Sequence, residues 1–280
     1  MGRRSAIELK SPDQIRRMRS AGLVVARTLA ALADAARPGV TTAELDGLAR
    51  EHIARAGAVS SFLDYGGGFG VPPFPAVTCI SVNSEIVHGI PGDRVLAAGD
   101  LVSIDFGVSV GGWHADSAIT VAVGEPSPEA RALSDATRTA LWDGIAAARI
   151  GGRIGDIGAA VERSLRSHPR RYGVVADYTG HGIGTAMHQP PDVPNVGRAG
   201  RGELLEKGIC LAVEPMVTLG DAATATLDDE WTVVTRDGSL AAHWEHSFAL
   251  TPAGIWVITA EDGGEAELRA RGARFGPLGD

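Results

Sequence analysis

The sequence contains few cysteines: two among its 280 residues, Cys79 and Cys210. Both lie in apolar segments, VTCISV and GICLAV, where a free thiol behaves as a small apolar side chain. Two such cysteines provide no disulfide framework of the kind found in small secreted domains. We therefore expect a protein that works in a reducing compartment.

Long apolar runs and an excess of basic residues are also missing. The chain has no run of about 18 apolar residues, and its first residues, MGRRSAIELKSPDQ, lack an apolar core, so we expect neither a membrane-spanning helix nor a signal peptide. Lys and Arg number 26 against 34 Asp and Glu, which gives a net charge of −8. This balance disfavours direct binding to nucleic acid. We expect a cytoplasmic protein.

The composition is that of a folded chain, with 44% apolar and 21% charged residues. Capping signals predict four helices, which begin at Ser11, at Thr41, at Ser127 and near Asp156. Each pair of helices is followed by strand-rich sequence, over residues 77–123 and 174–259.

This repeated order predicts two half-domains of similar design, about 11–124 and 125–260, within one domain that spans residues 1–280. The last residues, 261–280, have little apolar content and are predicted to form a C-terminal tail.

The segment LVSIDFGVSVGGWHADSAITV contains two alternating runs joined by the glycines at 111–112, a dipeptide typical of a tight hairpin turn. The register set by this turn pairs Gly107 with Asp116 and Asp105 with Ala118, so the two carboxylates become diagonal neighbours on one face. Two close carboxylates are unfavourable unless a cation holds them. The hairpin therefore predicts that these side chains face a cation.

Three further residues that can bind metals lie in similar surroundings. Glu214 ends the apolar strand GICLAVEPMV, Glu245 lies in the alternating segment AAHWEHSFALT, and His181 lies between glycines in YTGHGIG. Each of them alone is more often a structural group than a ligand. As a set with the two aspartates of the hairpin, they favour a metal site.

Six motifs occur in the order and spacing of the type I methionine aminopeptidases, which the chain resembles from about Ser11 to Thr259: HGIP, DFGV, WHAD, GHGIG, EPM and WEHS. The resemblance implies an α+β pita-bread fold, in which two pseudo-symmetric halves pack helix pairs on a curved antiparallel sheet. It also implies a catalytic domain, a hydrolase that removes the N-terminal methionine from nascent proteins and peptides with a small second residue.

The resemblance further implies two divalent metal ions bound by five residues. Asp116 and Glu245 would bridge the ions, Asp105 would bind one of them, and His181 with Glu214 would bind the other. Four carboxylates neutralise two divalent cations, and an oxygen-rich set with one imidazole suits Co²⁺, Mn²⁺, Fe²⁺ or Zn²⁺. In the implied mechanism, a hydroxide that bridges the ions attacks the first peptide bond.

Three catalytic residues are carried over from the same resemblance. Glu214 would carry the proton, His188 would polarise the peptide carbonyl, and His88 would hydrogen-bond the scissile amide nitrogen. Both histidines would thus contact the substrate. The implied methionine pocket is lined by apolar and polarisable side chains, namely Phe62, Tyr65, Phe74, Cys79, Met187 and Trp231.

Two other functions are compatible with the pattern. One is an Xaa-Pro aminopeptidase or dipeptidase of the same fold, and the other is a non-catalytic pita-bread module that binds peptides. For the leading interpretation, the expected partners are the N-termini of nascent polypeptides and, through them, the ribosome. We expect a monomer with no direct contact to nucleic acid or to a membrane.

Overall fold

Within residues 7–68 and 70–279, which the computed structural model describes, the chain forms five helices and fifteen strands. The helices are α1 (Pro12–Ala35), α2 (Thr42–Ala56), α3 (Pro128–Ala147), α4 (Ile154–Arg166) and α5 (Glu265–Ala270). The strands of the first half are β1 (Val59–Ser60), β2 (Cys79–Val82), β3 (Glu85–Val87), β4 (Leu101–Val110) and β5 (Trp113–Ala122). The remaining strands are β6 (Gly173–Val174), β7 (Gly180–Gly182), β8 (Gln189–Val193), β9 (Cys210–Val213), β10 (Met216–Thr218), β11 (Thr224–Thr226), β12 (Val233–Thr235), β13 (Ala241–His243), β14 (Glu245–Thr251) and β15 (Gly254–Val257).

The helices begin near the predicted positions because side chains satisfy their free backbone N–H groups. Ser11 and Gln14 form the capping box of α1, with the Ser11 backbone N–H donating to the Gln14 side chain at 2.8 Å. Helix α4 begins at Ile154, earlier than predicted. The reason is that the Asp156 carboxylate accepts a hydrogen bond from the backbone N–H of Arg153 at 2.9 Å and so belongs to the first turn.

A large antiparallel sheet of nine strands runs through both halves of the sequence. Its strand order is β1-β4-β5-β14-β9-β7-β8, with β2 beside β4 and β15 beside β14. The predicted hairpin register is confirmed, since Gly107 pairs with Asp116 and Asp105 pairs with Ala118. Two smaller three-stranded sheets have the orders β13-β10-β6 and β11-β12-β3.

Two clusters of buried apolar side chains lie between the helices and this sheet. The first joins α1 and α2 to β4, whose Val102, Ile104, Phe106 and Val108 are fully buried. The second joins α3 and α4 to β9 and β14. Because strand side chains alternate between the two faces of a sheet, Asp105 projects away from the first cluster. The helices therefore cover one face and leave the other for polar groups. The half-domain boundaries stay a prediction.

The C-terminal segment, for which the sequence predicts a tail, packs on the domain. Leu268 of α5 is fully buried, and Phe275 packs against both apolar clusters. The backbone N–H of Gly276 donates to the carbonyl of Ile255 at 2.9 Å. A few well-placed apolar residues thus anchor a segment whose average composition is polar. None of the described helices is long and apolar enough to cross a membrane.

Two helical glycines offer a matched test of how closely α1 packs. A Cβ atom on Gly22 of α1 would lie 2.0 Å from the carbonyl oxygen of Ile258, whereas a Cβ atom on Gly47 of α2 would have no neighbour within 4 Å. Gly22→Ala should therefore lower the free energy of unfolding by about 3 kcal/mol. Gly47→Ala should raise it by about 0.5–1 kcal/mol, since alanine favours a helix. Urea unfolding measures both, and equal effects of the two substitutions would contradict the packing.

Candidate metal centre and adjoining pocket

Three neighbouring strands of the large sheet bring carboxylates to one face. Asp105 on β4 and Glu245 on β14 both pair with Ala118 of β5, so the three residues form one row across the sheet. Asp116 lies two positions from Ala118 along β5, and strand alternation directs its side chain to the same face. The pairing of β5 with β14, which joins the two halves of the sequence, thereby assembles three of the five predicted ligands.

His181 of β7 and Glu214, which follows β9, complete the cluster. The Nε2 atom of His181 lies 3.6 Å from Oε1 of Glu214. The cluster includes three potential ligand atoms that all lie within 4.8 Å of one another, one each from Asp116, His181 and Glu245. The Nδ1 atom of His181 is 3.0 Å from the backbone carbonyl of Gly182, and as the donor of that bond it leaves the lone pair on Nε2 for a cation.

Burial controls the charge of this cluster. Desolvation, with the neighbouring Asp116 and Glu214 carboxyls, raises the pKa of Asp105 well above its usual value. Desolvation raises the pKa of Asp116 to about 7, and it raises the pKa of Glu214 and of Glu245 well above the usual value. By contrast, desolvation lowers the pKa of His181 to about 3, so this ring is neutral at physiological pH.

Several oxygen atoms of the cluster are buried without a hydrogen bond in the described part of the chain, namely Asp105 Oδ1, Asp116 Oδ1 and Glu245 Oε1. A buried acceptor without a partner costs about 1–3 kcal/mol, and more when it is charged. Divalent cations would satisfy these atoms and remove the repulsion. Carboxylate oxygens with a single imidazole, and no thiolate, suit hard or borderline divalent ions. The residues therefore fit a divalent metal centre.

A cavity of about 180 Å³ opens directly beside the cluster. It is smaller than the pockets of about 300–1,000 Å³ that hold drug-sized ligands, so it has room for one side chain. The thirteen residues predicted from the sequence all line this cavity: Phe62, Tyr65, Phe74, Cys79, His88, Asp105, Asp116, His181, Met187, His188, Glu214, Trp231 and Glu245.

One wall of the cavity consists of buried apolar side chains, namely Phe62, Phe74, Cys79 and Met187. The ring of Phe74 meets that of Trp231 edge to face, with centroids 5.2 Å apart. The Trp231 indole N–H donates to the carbonyl of Pro72 at 2.9 Å, which fixes the indole. A pocket of aromatic and sulfur-containing groups is well suited to a thioether.

Gly107 allows the apolar wall and the carboxylates to meet. A Cβ atom at this position would lie 2.9 Å from Phe62 Cε1 and 3.0 Å from Asp116 Oδ1. Any larger residue would therefore displace a predicted metal ligand or a wall of the cavity. The glycine places a polar cluster and an apolar pocket in direct contact.

The two predicted catalytic histidines both line this cavity. The Tyr65 hydroxyl lies 2.5 Å from Nδ1 of His188, and the His188 ring is 4.2 Å from that of His181, centroid to centroid. The His88 ring packs edge to face on Tyr178 at 5.7 Å. Desolvation lowers the pKa of both His88 and His188 to about 4, so each is neutral and carries one N–H.

Three residues of the site are absent from the sequence-based prediction. Tyr178 and Thr179 line the cavity, and the buried ring of His243 faces Glu214 and Glu245 with its Nε2 atom 4.0 Å from Oε2 of each. Strand alternation offered a signal for two of them, because Thr179 stands two positions before His181 and His243 two positions before Glu245.

A buried centre of carboxylates and one imidazole, next to a pocket for a single side chain, is the arrangement of hydrolases that use metal ions to activate water. The chain is of this class. The model of metallopeptidase family M24 matches residues 16–252, so the match covers most of the chain.

Individual relatives give the same result. The chain is 48% identical over 261 residues to methionine aminopeptidase 1 of Mycobacterium tuberculosis, which covers 91% of this chain and 96% of that protein. It is 46% identical over 254 residues to the methionine aminopeptidase of Clostridium acetobutylicum, which covers 90% and 98%. The chain belongs to metallopeptidase family M24, and within that family its relatives are methionine aminopeptidases.

Solved structures confirm the pita-bread fold. The methionine aminopeptidase of Thermotoga maritima superposes with a TM-score of 0.87 at 36% identity. The match covers 91% of this chain and 100% of the Thermotoga chain. An Xaa-Pro dipeptidase from Bacillus anthracis superposes with a TM-score of 0.69 at 22% identity and covers 90% of this chain and 61% of that one. The second likeness is one of fold alone.

The raised pKa values predict that metal binding depends on pH. Carboxyl groups with raised pKa hold protons that a metal ion must displace, whereas His181 is neutral and has none to lose. The affinity for Mn²⁺ should therefore rise as pH increases through the pKa of Asp116, about 7. The rise should be about tenfold per pH unit for each proton displaced.

Calorimetry in buffers of different ionisation enthalpy measures both the affinity and the proton release. An affinity that does not change with pH would contradict the prediction.

Proposed function

We propose that the protein removes the N-terminal methionine from nascent proteins and peptides whose second residue is small. The observation that carries this proposal is the apolar, sulfur-lined cavity of about 180 Å³ that lies in direct contact with the carboxylate cluster. A side chain held in that cavity presents its own peptide bond to the cluster. Relatives at 48% and 46% identity bear the name methionine aminopeptidase.

The shape of the site favours cleavage at the end of a chain. The cavity has space for one side chain, whereas a wider groove of about 1160 Å³ begins at residues that it shares with the cavity, Thr179, His181 and His188. The first residue of a substrate can thus be enclosed while the rest of the polypeptide leaves along the groove. This geometry suits an aminopeptidase.

We further propose two divalent ions, Co²⁺, Mn²⁺, Fe²⁺ or Zn²⁺, in the carboxylate cluster. Asp116 and Glu245 would be shared between the ions, Asp105 would bind one, and His181 with Glu214 would bind the other. The charge of four carboxylates supports this number, because two divalent cations balance it. When bound, such ions lower the pKa of water and polarise the peptide carbonyl.

The side chains around the cluster supply the proton transfers and the orientation. Glu214 would take up a proton and pass it to the leaving amine nitrogen. With Nδ1 of His188 accepting from the Tyr65 hydroxyl, its Nε2–H can donate to the carbonyl oxygen, where negative charge develops. His88, which also lines the cavity, would donate to the nitrogen of the scissile amide.

Neither alternative function is favoured. Solved structures of Xaa-Pro peptidases and prolidases share the fold at 18–22% identity. A non-catalytic module would need neither the complete set of carboxylates nor the two histidines, and all of them line the cavity. Contact with the ribosome, a monomeric state, a cytoplasmic location and the absence of contact with nucleic acid or membrane stay predictions.

Hydrolysis of the peptide Met-Ala-Ser by metal-stripped protein tests the proposed activity. Turnover should return when Mn²⁺, Co²⁺, Fe²⁺ or Zn²⁺ is added. Asp105→Ala should abolish turnover because a ligand is lost, and His188→Ala should lower kcat by about 10²–10³-fold, as the loss of one oxyanion donor does. His52→Ala changes a half-buried histidine of α2 outside the cavity and serves as the control.

The same assay separates the activities. Cleavage of Ala-Pro peptides in preference to Met-Ala-Ser would identify an Xaa-Pro peptidase, and slow cleavage of a Met-Ala peptide relative to Met-Trp would contradict a small second residue. No turnover with any of the four ions, from folded protein, would exclude the proposed function.

A further inference from the structure

His243 is a buried histidine whose ring has no role in the proposed chemistry. It ends β13, is 2% exposed, and its Nε2 atom is buried without a hydrogen-bond partner among the described residues. Buried polar atoms without partners are rare in native proteins, and each one needs an explanation. The surroundings of this atom provide one.

The Nε2 atom of His243 faces two carboxylates at equal distance. Oε2 of Glu214 and Oε2 of Glu245 each lie 4.0 Å away. The other oxygens of these residues are directed elsewhere: Oε1 of Glu214 lies 3.6 Å from the Nε2 atom of His181, and Oε1 of Glu245 is buried without a partner in the described chain. Each glutamate thus turns one oxygen toward His243 and keeps the other for the cluster.

Hydrogen bonds hold the backbone of His243 in place, and the ring projects from this fixed backbone. Its N–H donates to Thr120 Oγ1 at 2.9 Å and to Ser103 Oγ at 3.2 Å, and its carbonyl accepts from Thr120 Oγ1 at 2.6 Å. Its strand also pairs with β10 through Met216. Strands β4, β5 and β10 therefore all fix the backbone from which the ring projects.

We propose that His243 is a positioning residue of the metal centre. Metal ligands must be ionised, and a ring that faces two ionised carboxylate oxygens avoids repulsion between lone pairs only if Nε2 carries a proton. This N–H is the shared donor for the outer oxygens of Glu214 and Glu245. A shift of about 1 Å brings either oxygen to the 2.7–3.2 Å of an N–H···O bond, and such bonds in catalytic sites shorten when the complex is complete.

The role of the shared donor is to hold the two carboxylates in one orientation. Glu214 follows β9 and Glu245 begins β14, so the two arrive on separate strands, and His243 touches both. With their outer oxygens held, their inner oxygens face the metal. This inference depends on the proposed metal centre.

The binding of Mn²⁺ alone, measured by competition with a fluorescent chelator, tests the role in the full-length protein. His243→Leu removes the donor and should weaken the affinity for Mn²⁺ by about 10- to 100-fold, the usual cost of losing a partner behind a metal ligand. His243→Gln keeps an N–H donor and should restore most of that affinity. The kcat for Met-Ala-Ser should follow the same order, with a smaller change in KM.

His246→Leu is the matched control. This nearby, partly buried histidine packs against Trp142, with ring centroids 4.9 Å apart, and its Nδ1 atom lies 2.9 Å from Thr259 Oγ1. Its loss should lower the melting temperature and leave the affinity for Mn²⁺ unchanged. The melting temperature of each metal-free variant verifies that it is folded.

Four results would overturn the inference. His243→Leu that binds Mn²⁺ as tightly as the parent would show that the donor is not needed. His243→Gln that binds as weakly as His243→Leu would show that the N–H is not the active feature. A Co²⁺ absorption spectrum that loses a nitrogen ligand in His243→Gln would make His243 a ligand. If the parent protein itself binds no Mn²⁺, the metal centre fails, and this inference fails with it.

Discussion

Repulsion among four carboxylates, two of them buried and two partly buried, is the constraint on which this structure depends. Asp105, Asp116, Glu214 and Glu245 come together where water is largely excluded, and burial raises the pKa of each. Such a cluster is stable only if protons or cations neutralise it. The apolar clusters on the opposite face of the sheet supply the folding free energy that the carboxylate cluster does not supply.

The carboxylate cluster and the apolar clusters lie on the two opposite faces of one sheet. Along β4, Ile104 and Phe106 are buried in the first apolar cluster, and Asp105 between them faces the cavity. The pairing of β5 with β14 places Glu245 in the same row. Since Asp105, Asp116 and Glu245 lie on strands of a sheet that helices cover on its other face, much of the centre is held by rigid elements, as a metal site requires.

The contact between the polar cluster and the apolar cavity determines which reaction the site suits. Phe62 and Asp116 approach the same glycine, Gly107, so the wall of the side-chain pocket and a predicted metal ligand are neighbours. A bound side chain is therefore enclosed on one side, while its peptide bond meets the carboxylates on the other. In its proposed role, His243 holds the outer oxygens of Glu214 and Glu245.

Local chemistry allowed much of this to be predicted from the sequence. Capping boxes fix the starts of α1 and α2, and the glycines at 111–112 fix the register of β4 and β5, because a tight turn leaves one way to pair its flanks. The motifs identify the family, and the residues carried over from it all line one cavity. Each of these features depends on residues close together in the chain or on a shared pattern.

Tertiary structure decided the features that join distant segments. Glu245 meets β5 across more than a hundred residues, and no local signal sets that register. The packing of Leu268 and Phe275 depends on a surface that the rest of the fold creates, so average composition predicts a tail where the chain is in fact anchored. His243 is two positions from a predicted ligand, yet its contact with Glu214 exists only because β13 lies beside β10. The sequence alone determined which chemical groups are present and where the helices and the hairpin turn begin. Long-range strand pairing determined which of these groups meet.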